Sequence, residues 1–298
     1  MFCKSPPQRP HAGWFQGEVS RTSRPMSAEA ADVGVILVDY RSDPQLSTAL
    51  SALADDASGR TLRVIVVQNS PTAAPPASPT GLAVEWIRSE ENLGFGRAVN
   101  LARARLSTPY LWVLNPDVQP APSALGILCD YLDAHPNIGI VAPKLLDADG
   151  RLQFSVRTFY DLPTLLLRRT PLGRCFPNHP RLRRHLMSDW DHADIREVDW
   201  ALGACLLIRS AAVPVEVFDP RFFLYFEDVD LCLRLKKAGW PTIYHPQATV
   251  RHLHRQASRR NPLSRAGWEH ICSGIRFIVK HRGLGCPPSG SIRPESSP

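Results

Sequence analysis

Residues 110–117 read Tyr-Leu-Trp-Val-Leu-Asn-Pro-Asp (YLWVLNPD). Five apolar residues are too few for a buried helix and suit a strand covered on both faces. The run stops abruptly at Asn115-Pro116-Asp117, three residues that favour turns. A carboxylate there stands at the carboxyl end of a buried strand, where open α/β sheets bind their ligands. Runs of the same kind precede it: Gly34–Asp39 (GVILVD), Arg63–Val67 (RVIVV) and Ala83–Ile87. Helical patterns fall between and after them. One opens at Asp43-Pro44 with suitable cap chemistry and runs to Ala54. Another covers Arg97–Arg105 behind Gly94-Phe95-Gly96, and a third covers Ser123–Ala134. A further strand is expected over Ile138–Pro143. Strand alternating with helix predicts a mostly parallel, doubly wound α/β sheet with right-handed connections.

Farther along, the pattern changes. Residues 151–197 read as loop-rich and basic, with eight Arg between Arg151 and Met187 against the single acid Asp161. Ala204–Arg209 (ACLLIR) reads as a buried strand and Asp228–Ala238 as a helix stopped by Gly239. Ala248–His252 reads as a short strand, and Pro262–Lys280 as a basic amphipathic helix. Between Arg251 and Arg282 there are eight basic residues against Glu269. No internal repeat occurs. Ser70–Gly81 is a Pro-rich loop, and residues 1–31, rich in Pro, Ser and Arg, read as disordered. Met26 stands just before the first ordered pattern, an alternative start for translation. The expected organisation is a disordered extension (1–31), one α/β domain (32–258), a basic helix (259–283) and a disordered tail (284–298).

The chain has 298 residues, enough for one large α/β domain, with a net charge of +7. A positive excess of this kind attracts phosphates, nucleic acid or an anionic membrane face, and plain solubility explains it equally. The seven Cys are unevenly spaced without a CxxC pair. Cys129, Cys205 and Cys232 sit among apolar residues, which favours buried thiols in a reducing, cytoplasmic setting over a disulfide framework. No apolar stretch approaches the roughly 20 residues of a spanning helix.

Four polar motifs remain. Asp117 can hold a divalent cation that neutralises a diphosphate; an ordinary turn is the bland alternative. Glu227-Asp228-Val229-Asp230 follows the apolar run Phe222–Phe226. Crowded carboxylates beside apolar residues rise in pKa, as a general base needs. Asp230, inside the first helical turn, fits simple stabilisation by the helix dipole. Glu91-Asn92-Leu93-Gly94-Phe95-Gly96 precedes a helix, where glycines allow close backbone approach and the N-terminus favours phosphate; a plain turn reads equally well. His252 and His254 share one face of a strand, with Ser258 beyond, and either imidazole suits a metal or a diphosphate.

In order and spacing, these segments resemble the family-2 glycosyltransferases, in particular a bacterial rhamnosyltransferase-like branch. The likeness spans roughly residues 33–282. It rests on Val38-Asp39-Tyr40-Arg41, Val66-Val67-Gln68-Asn69-Ser70, Glu91–Gly96 with Asn100, and Asn115-Pro116-Asp117-Val118. It continues through Asp199–Cys205, Phe222–Arg234 and His252. The resemblance implies a GT-A (Rossmann-like) fold, a nucleotide-diphosphate-sugar donor and a divalent cation, Mg2+ or Mn2+. It implies that Asp117 and His252 hold the metal and that Asp228, paired with Glu227, is the base of an inverting transfer. Asp39, Tyr40, Gln68, Asn69, Asn92, Gly94, Phe95, Asn100 and Asn115 would line the donor site. Trp200, Gly203 and Ala204 would line the acceptor side. Gln68 stands where the family usually has Asp, so the nucleobase contact changes from an acceptor-only group to a donor and acceptor. Rhamnose is the sugar this branch suggests, and a lipid-linked or polysaccharide hydroxyl the acceptor.

The basic segments, with Leu165–Leu167 beside Arg168 and Arg169, suit peripheral contact with the anionic inner face of the plasma membrane. A nucleotidyltransferase would need a Gly- and Lys-rich loop after the first strand, and Asp39–Ser42 has neither. A processive synthase would carry membrane spans and a Gln-x-x-Arg-Trp segment, both lacking in the sequence. Nucleic-acid binding would interleave aromatics with the Arg clusters in a recognisable module, so no nucleic-acid partner is expected. A degenerate binding scaffold is the other class, and the retention of Asp117 and Asp228 speaks against it.

Overall fold

The computed structural model describes residues 31–70, 78–169, 176–213, 215–253 and 265–281. The N-terminal extension with Met26, most of the Pro-rich loop, His254, Ser258 and the C-terminal tail lie outside them. The first half follows the alternation of the sequence: β1 (Val33–Asp39), α1 (Asp43–Ala54), β2 (Leu62–Gln68), β3 (Val84–Arg88), α2 (Phe95–Arg103), β4 (Tyr110–Leu114), β5 (Val118–Pro120), α3 (Ala124–Ala134) and β6 (Ile140–Leu146). The remainder comprises β7 (Leu152–Gln153), β8 (Val156–Arg157), α4 (Leu162–Arg169), α5 (Pro180–Leu186), β9 (Arg196–Val198), β10 (Trp200–Ala201) and β11 (Cys205–Arg209). It ends with α6 (Glu227–Lys237), β12 (Thr242–His252) and α7 (Arg265–His281).

The main sheet runs β3-β2-β1-β4-β11-β6-β12-β5, with β7 on β6 and β9 on β12. The neighbours β3, β2, β1 and β4 are parallel, as are β6 and β12. β11 lies between β4 and β6 and is antiparallel to both. Side chains of β1 alternate between the two faces. Val33, Val35 and Leu37 pack with α1 and α3, while Ile36 and Val38 pack with α2 and α6. Both faces are thus apolar, which is why these strands read as continuous hydrophobic runs. Cys129, Cys205 and Cys232 are free and buried, and burial pushes each thiol up to about 12.

Residues 151–197 are loop-rich, as expected, and among them stand α4, α5 and three short strands. Part of their positive excess is paired locally, Arg181 with Asp161 at 2.8 Å and Arg183 with Asp189 at 2.7 Å. The last strand starts at Thr242 rather than Ala248. Its pairing with β6 shifts register between His245 and Thr249, at Pro246, so the proline sits in a bulge instead of ending the strand. The cap of α1 is Ser42, whose side chain makes no capping hydrogen bond; its hydroxyl turns to Asp39.

Candidate active site

The segment before α6 makes a strained approach. Tyr225 and Phe226 both adopt left-handed backbone, with φ of 68° and 65°, a conformation bulky residues rarely accept. Surrounding contacts hold it. Phe222 and Phe226 are buried, and the Ser273 hydroxyl donates to Leu224 O at 2.9 Å. His270 stacks on Tyr225 at 4.2 Å, and Phe277 packs on Phe226 at 5.5 Å. Asp230 is wholly buried and gathers Arg234, Lys280 and His281 at 2.6–2.8 Å. It is thus a clamp between α6 and α7, more than the dipole partner its position suggested.

The turn delivers two adjacent carboxylates. Glu227 is buried, and its Oε2 has no hydrogen-bond partner among the described residues. Burial, and then the neighbouring Asp228 charge, push its pKa well above the usual range. Asp228 remains partly exposed. Its Oδ2 accepts from Gly203 N–H at 3.0 Å and its Oδ1 from Val229 N–H at 2.8 Å. Burial raises its pKa; the two N–H groups and the positive charge of Arg157 oppose the rise without cancelling it. The result is a carboxylate held in one orientation with raised basicity.

A backbone relay joins this turn to the end of β4. Asn115 N–H donates to Ala204 O at 2.9 Å, next to the Gly203 that holds Asp228. Asp117 follows at the end of the same turn. Its carbonyl accepts from Leu253 N–H at 2.9 Å, and its Oδ1 lies 3.4 Å from His252 Nε2. Gln153 Oε1 lies 2.8 Å from His252 Nδ1. With the amide oxygen as acceptor, Nδ1 carries the proton and Nε2 turns its lone pair towards Asp117. One carboxylate and one imidazole are a donor set that would suit a divalent cation shared with a diphosphate. Among the described residues no group of three or more His, Cys, Asp or Glu gathers as a fuller cage.

The donor-side residues fall into two sets. Asp39 and Gln68 are buried, register-paired neighbours at the ends of β1 and β2. Asp39 Oδ1 accepts from Ser42 N–H at 3.1 Å, whereas Oδ2 has no partner among the described residues. Tyr40 is exposed beside them, with the Arg41 guanidinium 5.5 Å from its ring centroid. The second set binds the protein itself. Asn69 receives Leu93 N–H at 2.8 Å and donates to Asn92 Oδ1 at 3.0 Å; Asn92 Oδ1 also accepts from Gly94 N–H at 3.0 Å. Asn100 uses both ends of its amide on the backbone of Val217 and Phe218. The close approach that Gly94 permits is to the turn before α6: with φ of 80°, an added Cβ would lie 2.4 Å from Phe223 O. Phe95 N–H donates to that same oxygen at 3.0 Å. These residues hold the Asn92–Phe95 loop against the turn before α6.

Of the residues expected on the acceptor side, Gly203 has Asp228 and Phe95 around it. Ala204 is buried and contributes its carbonyl to the relay. Trp200 is also buried, its indole N–H spent on Thr158 O at 2.9 Å, so it backs the wall instead of lining it. It carries the Arg157 guanidinium, 5.0 Å from the ring centroid. Arg157 and Gln153 are the polar residues that sequence reasoning missed. Both sit on two-residue strands, too short for any periodic signal. Arg157 was visible only as one charge in a basic run.

Comparison with known proteins supplies the family and the fold. A family profile described as "Glycosyltransferase like family 2" matches residues 30–265. The chain is 32% identical over 265 residues to the N-acetylglucosaminyl-diphospho-decaprenol L-rhamnosyltransferase of Mycobacterium tuberculosis, covering 84% of this chain and 85% of that protein. Among solved structures, it resembles the mannosyltransferase PcManGT from Pyrobaculum calidifontis in complex with GDP-Man and Mn2+. The TM-score is 0.54 at 17% identity, over 88% of this chain and 67% of that one. It also resembles GalNAc-T7 with UDP, GalNAc and Mn2+, with a TM-score of 0.56 at 12% identity. That match covers 84% of this chain and 48% of the other, so the chain spans about half that protein's length. The sheet and its flanking helices are those of the GT-A fold.

Proposed function

The chain belongs to glycosyltransferase family 2, and from that premise we propose an inverting transfer of a sugar, rhamnose first among candidates, from a nucleotide-diphosphate donor to a hydroxyl of a lipid-linked acceptor. Asp228 is the general base. It takes the proton of the acceptor hydroxyl as that oxygen forms its bond to the anomeric carbon and the carbon–diphosphate bond breaks on the opposite face. The observation that carries this reading is the two N–H groups of Gly203 and Val229, which fix a carboxylate of raised pKa that remains partly exposed. Glu227 beside it is pushed up further, by burial and then by the Asp228 charge, and so favours its neutral form.

Asp117 and His252, the latter oriented by Gln153, would hold a divalent cation. When bound, Mg2+ or Mn2+ supplies positive charge against the departing diphosphate. Asp39 and Gln68 would read the nucleobase edge, the orphan Oδ2 of Asp39 accepting a ring N–H and the Gln68 amide adding a donor and an acceptor. Tyr40 would cover the base. The carbonyl of Ala204 keeps the Asp117 turn at a fixed distance from Asp228. The acceptor reading is supported by the relative's name, N-acetylglucosaminyl-diphospho-decaprenol L-rhamnosyltransferase. A lipid of that kind requires the enzyme to work at a membrane surface.

The test is a panel of dTDP-, UDP- and GDP-sugars offered with a polyprenyl-diphosphate-linked N-acetylglucosamine. Product formed from one donor, with its anomeric configuration opposite to the donor's by NMR, supports the proposal. Retained configuration would overturn the assignment of Asp228.

A further inference from the structure

Helix α7 carries an apolar stripe on the wrong side for a protein surrounded only by water. Its inner face packs on the turn before α6 through His270, Ser273 and Phe277. Its outer face shows Trp268, Ile271, Ile275 and Val279, exposed by 64%, 50%, 57% and 73%. The spacing of three and four residues puts them in one line along the helix. A second outcrop lies on α4, where Leu162 and Leu166 are also more than half exposed. The two are linked through one ring: Tyr160, just before α4, packs on Phe226 at 5.5 Å, and Phe277 of α7 packs on the same side chain at 5.5 Å.

We propose that the outer face of α7 is a docking surface for an anionic lipid leaflet, with Trp268, Ile271, Ile275 and Val279 entering the acyl boundary. Charge favours lipid over a second copy of this chain. Between Arg251 and Arg282 the sequence holds eight Lys and Arg against Glu269; Lys280 turns inward to Asp219 and Asp230, whereas Arg276, at the edge of the stripe, is half exposed with Glu269 3.9 Å away. Two such segments pressed together repel each other, whereas an anionic surface attracts each. No helix among the described residues is long and apolar enough to cross a membrane, so α7 would lie in the interfacial plane. Lys280 and His281 bind Asp230 in the first turn of α6, two residues beyond Asp228. Seating α7 on lipid therefore fixes the base relative to the membrane surface. This consequence rests on the lipid-linked acceptor proposed above; the docking itself does not.

The experiment is co-sedimentation of the full chain with vesicles of phosphatidylcholine alone and of phosphatidylcholine with phosphatidylglycerol. It is run beside Ile271→Ser/Ile275→Ser and Arg276→Gln, with oligomeric state measured by analytical ultracentrifugation. The expected result is preferential binding to the anionic vesicles, weakened about tenfold or more in the double variant and measurably in Arg276→Gln. The melting temperature should not fall, because both isoleucines face outward. No binding by the wild type, equal binding by the double variant, or equal binding to both vesicles would overturn the proposal. So would a wild-type dimer that the double variant dissolves, since the stripe would then be an interface between copies. None of these readouts requires sugar transfer, so failure here and failure of the catalytic reading are separable.

Discussion

Gly203 donates its backbone N–H to Oδ2 of Asp228 at 3.0 Å, across 25 residues of sequence. The residue after Gly203 offers its carbonyl to Asn115, two positions before Asp117. One short stretch of backbone thereby positions both Asp228 and the Asp117 turn, the two ends of the proposed reaction. Gly203 needs no left-handed freedom for this. A Cβ there would make ordinary contacts with Asp228 and Phe95, at 3.4–3.8 Å.

Arg157 should tune the base. Its positive charge favours ionised Asp228 and opposes the rise caused by burial. Asp228 takes a proton only when ionised, so activity falls as pH drops through its pKa. Arg157→Met removes the opposing charge and raises that pKa further. The acidic limb of kcat/KM against pH should move to higher pH, with the plateau less affected. An unmoved limb would separate Arg157 from the base.

The diphosphate end is expected to depend on a divalent cation. Chelation should abolish transfer, and added Mg2+ or Mn2+ should restore it. Asp117→Ala and His252→Ala should raise the metal concentration needed for half-maximal rate. Gln153→Leu should do so by about tenfold, the lower end of what is usual when the partner of a ligating His is lost. Because Gln153 acts through His252, Gln153→Leu added to His252→Ala should have little further effect.

Gly94→Ala tests the clasp between the donor loop and the turn before α6. The φ of 80° and the 2.4 Å approach to Phe223 O leave no room for a methyl group. A cost of about 1–3 kcal/mol is expected from the backbone conformation alone, read as a fall in chemical-denaturation stability and a rise in donor KM. Gly150, whose φ of 77° comes with open space around it, provides a control in Gly150→Ala: strain without the clash, and no change in KM.

Asp230→Asn should loosen α7. It removes the charge that Arg234, Lys280 and His281 share in a buried site, a loss of about 3 kcal/mol or more. Hydrogen exchange should quicken in the α7 amides before those of β1 and β4.

The parallel half of the fold was legible because its strands are buried on both faces and its turns fall at their carboxyl ends. The direction of β11 was not: Cys205–Arg209 is equally apolar whichever way it runs, and only its neighbours β4 and β6 make it antiparallel. Pro246 hid half of β12, since a bulge that accepts a proline leaves no mark in the pattern. For the site, Asp117, Asp228 and His252 stood out by their chemistry at strand and helix ends. Asn69, Asn92 and Asn100 were readable as polar residues of the donor loop, but their use on backbone groups depends on partners up to 118 residues away. Arg157 and Gln153 depend wholly on tertiary placement.

The most direct test of Asp228 as the base is its conservative replacement by Asn, which keeps size and shape and removes the charge. Transfer to acceptor would be measured for wild type and Asp228→Asn, with donor affinity determined separately by calorimetry. A fall in kcat of about 10²–10⁴-fold with donor affinity little changed is predicted. An Asp228→Asn enzyme within tenfold of wild type in kcat would contradict the account, and Glu227 would then be the carboxylate to examine.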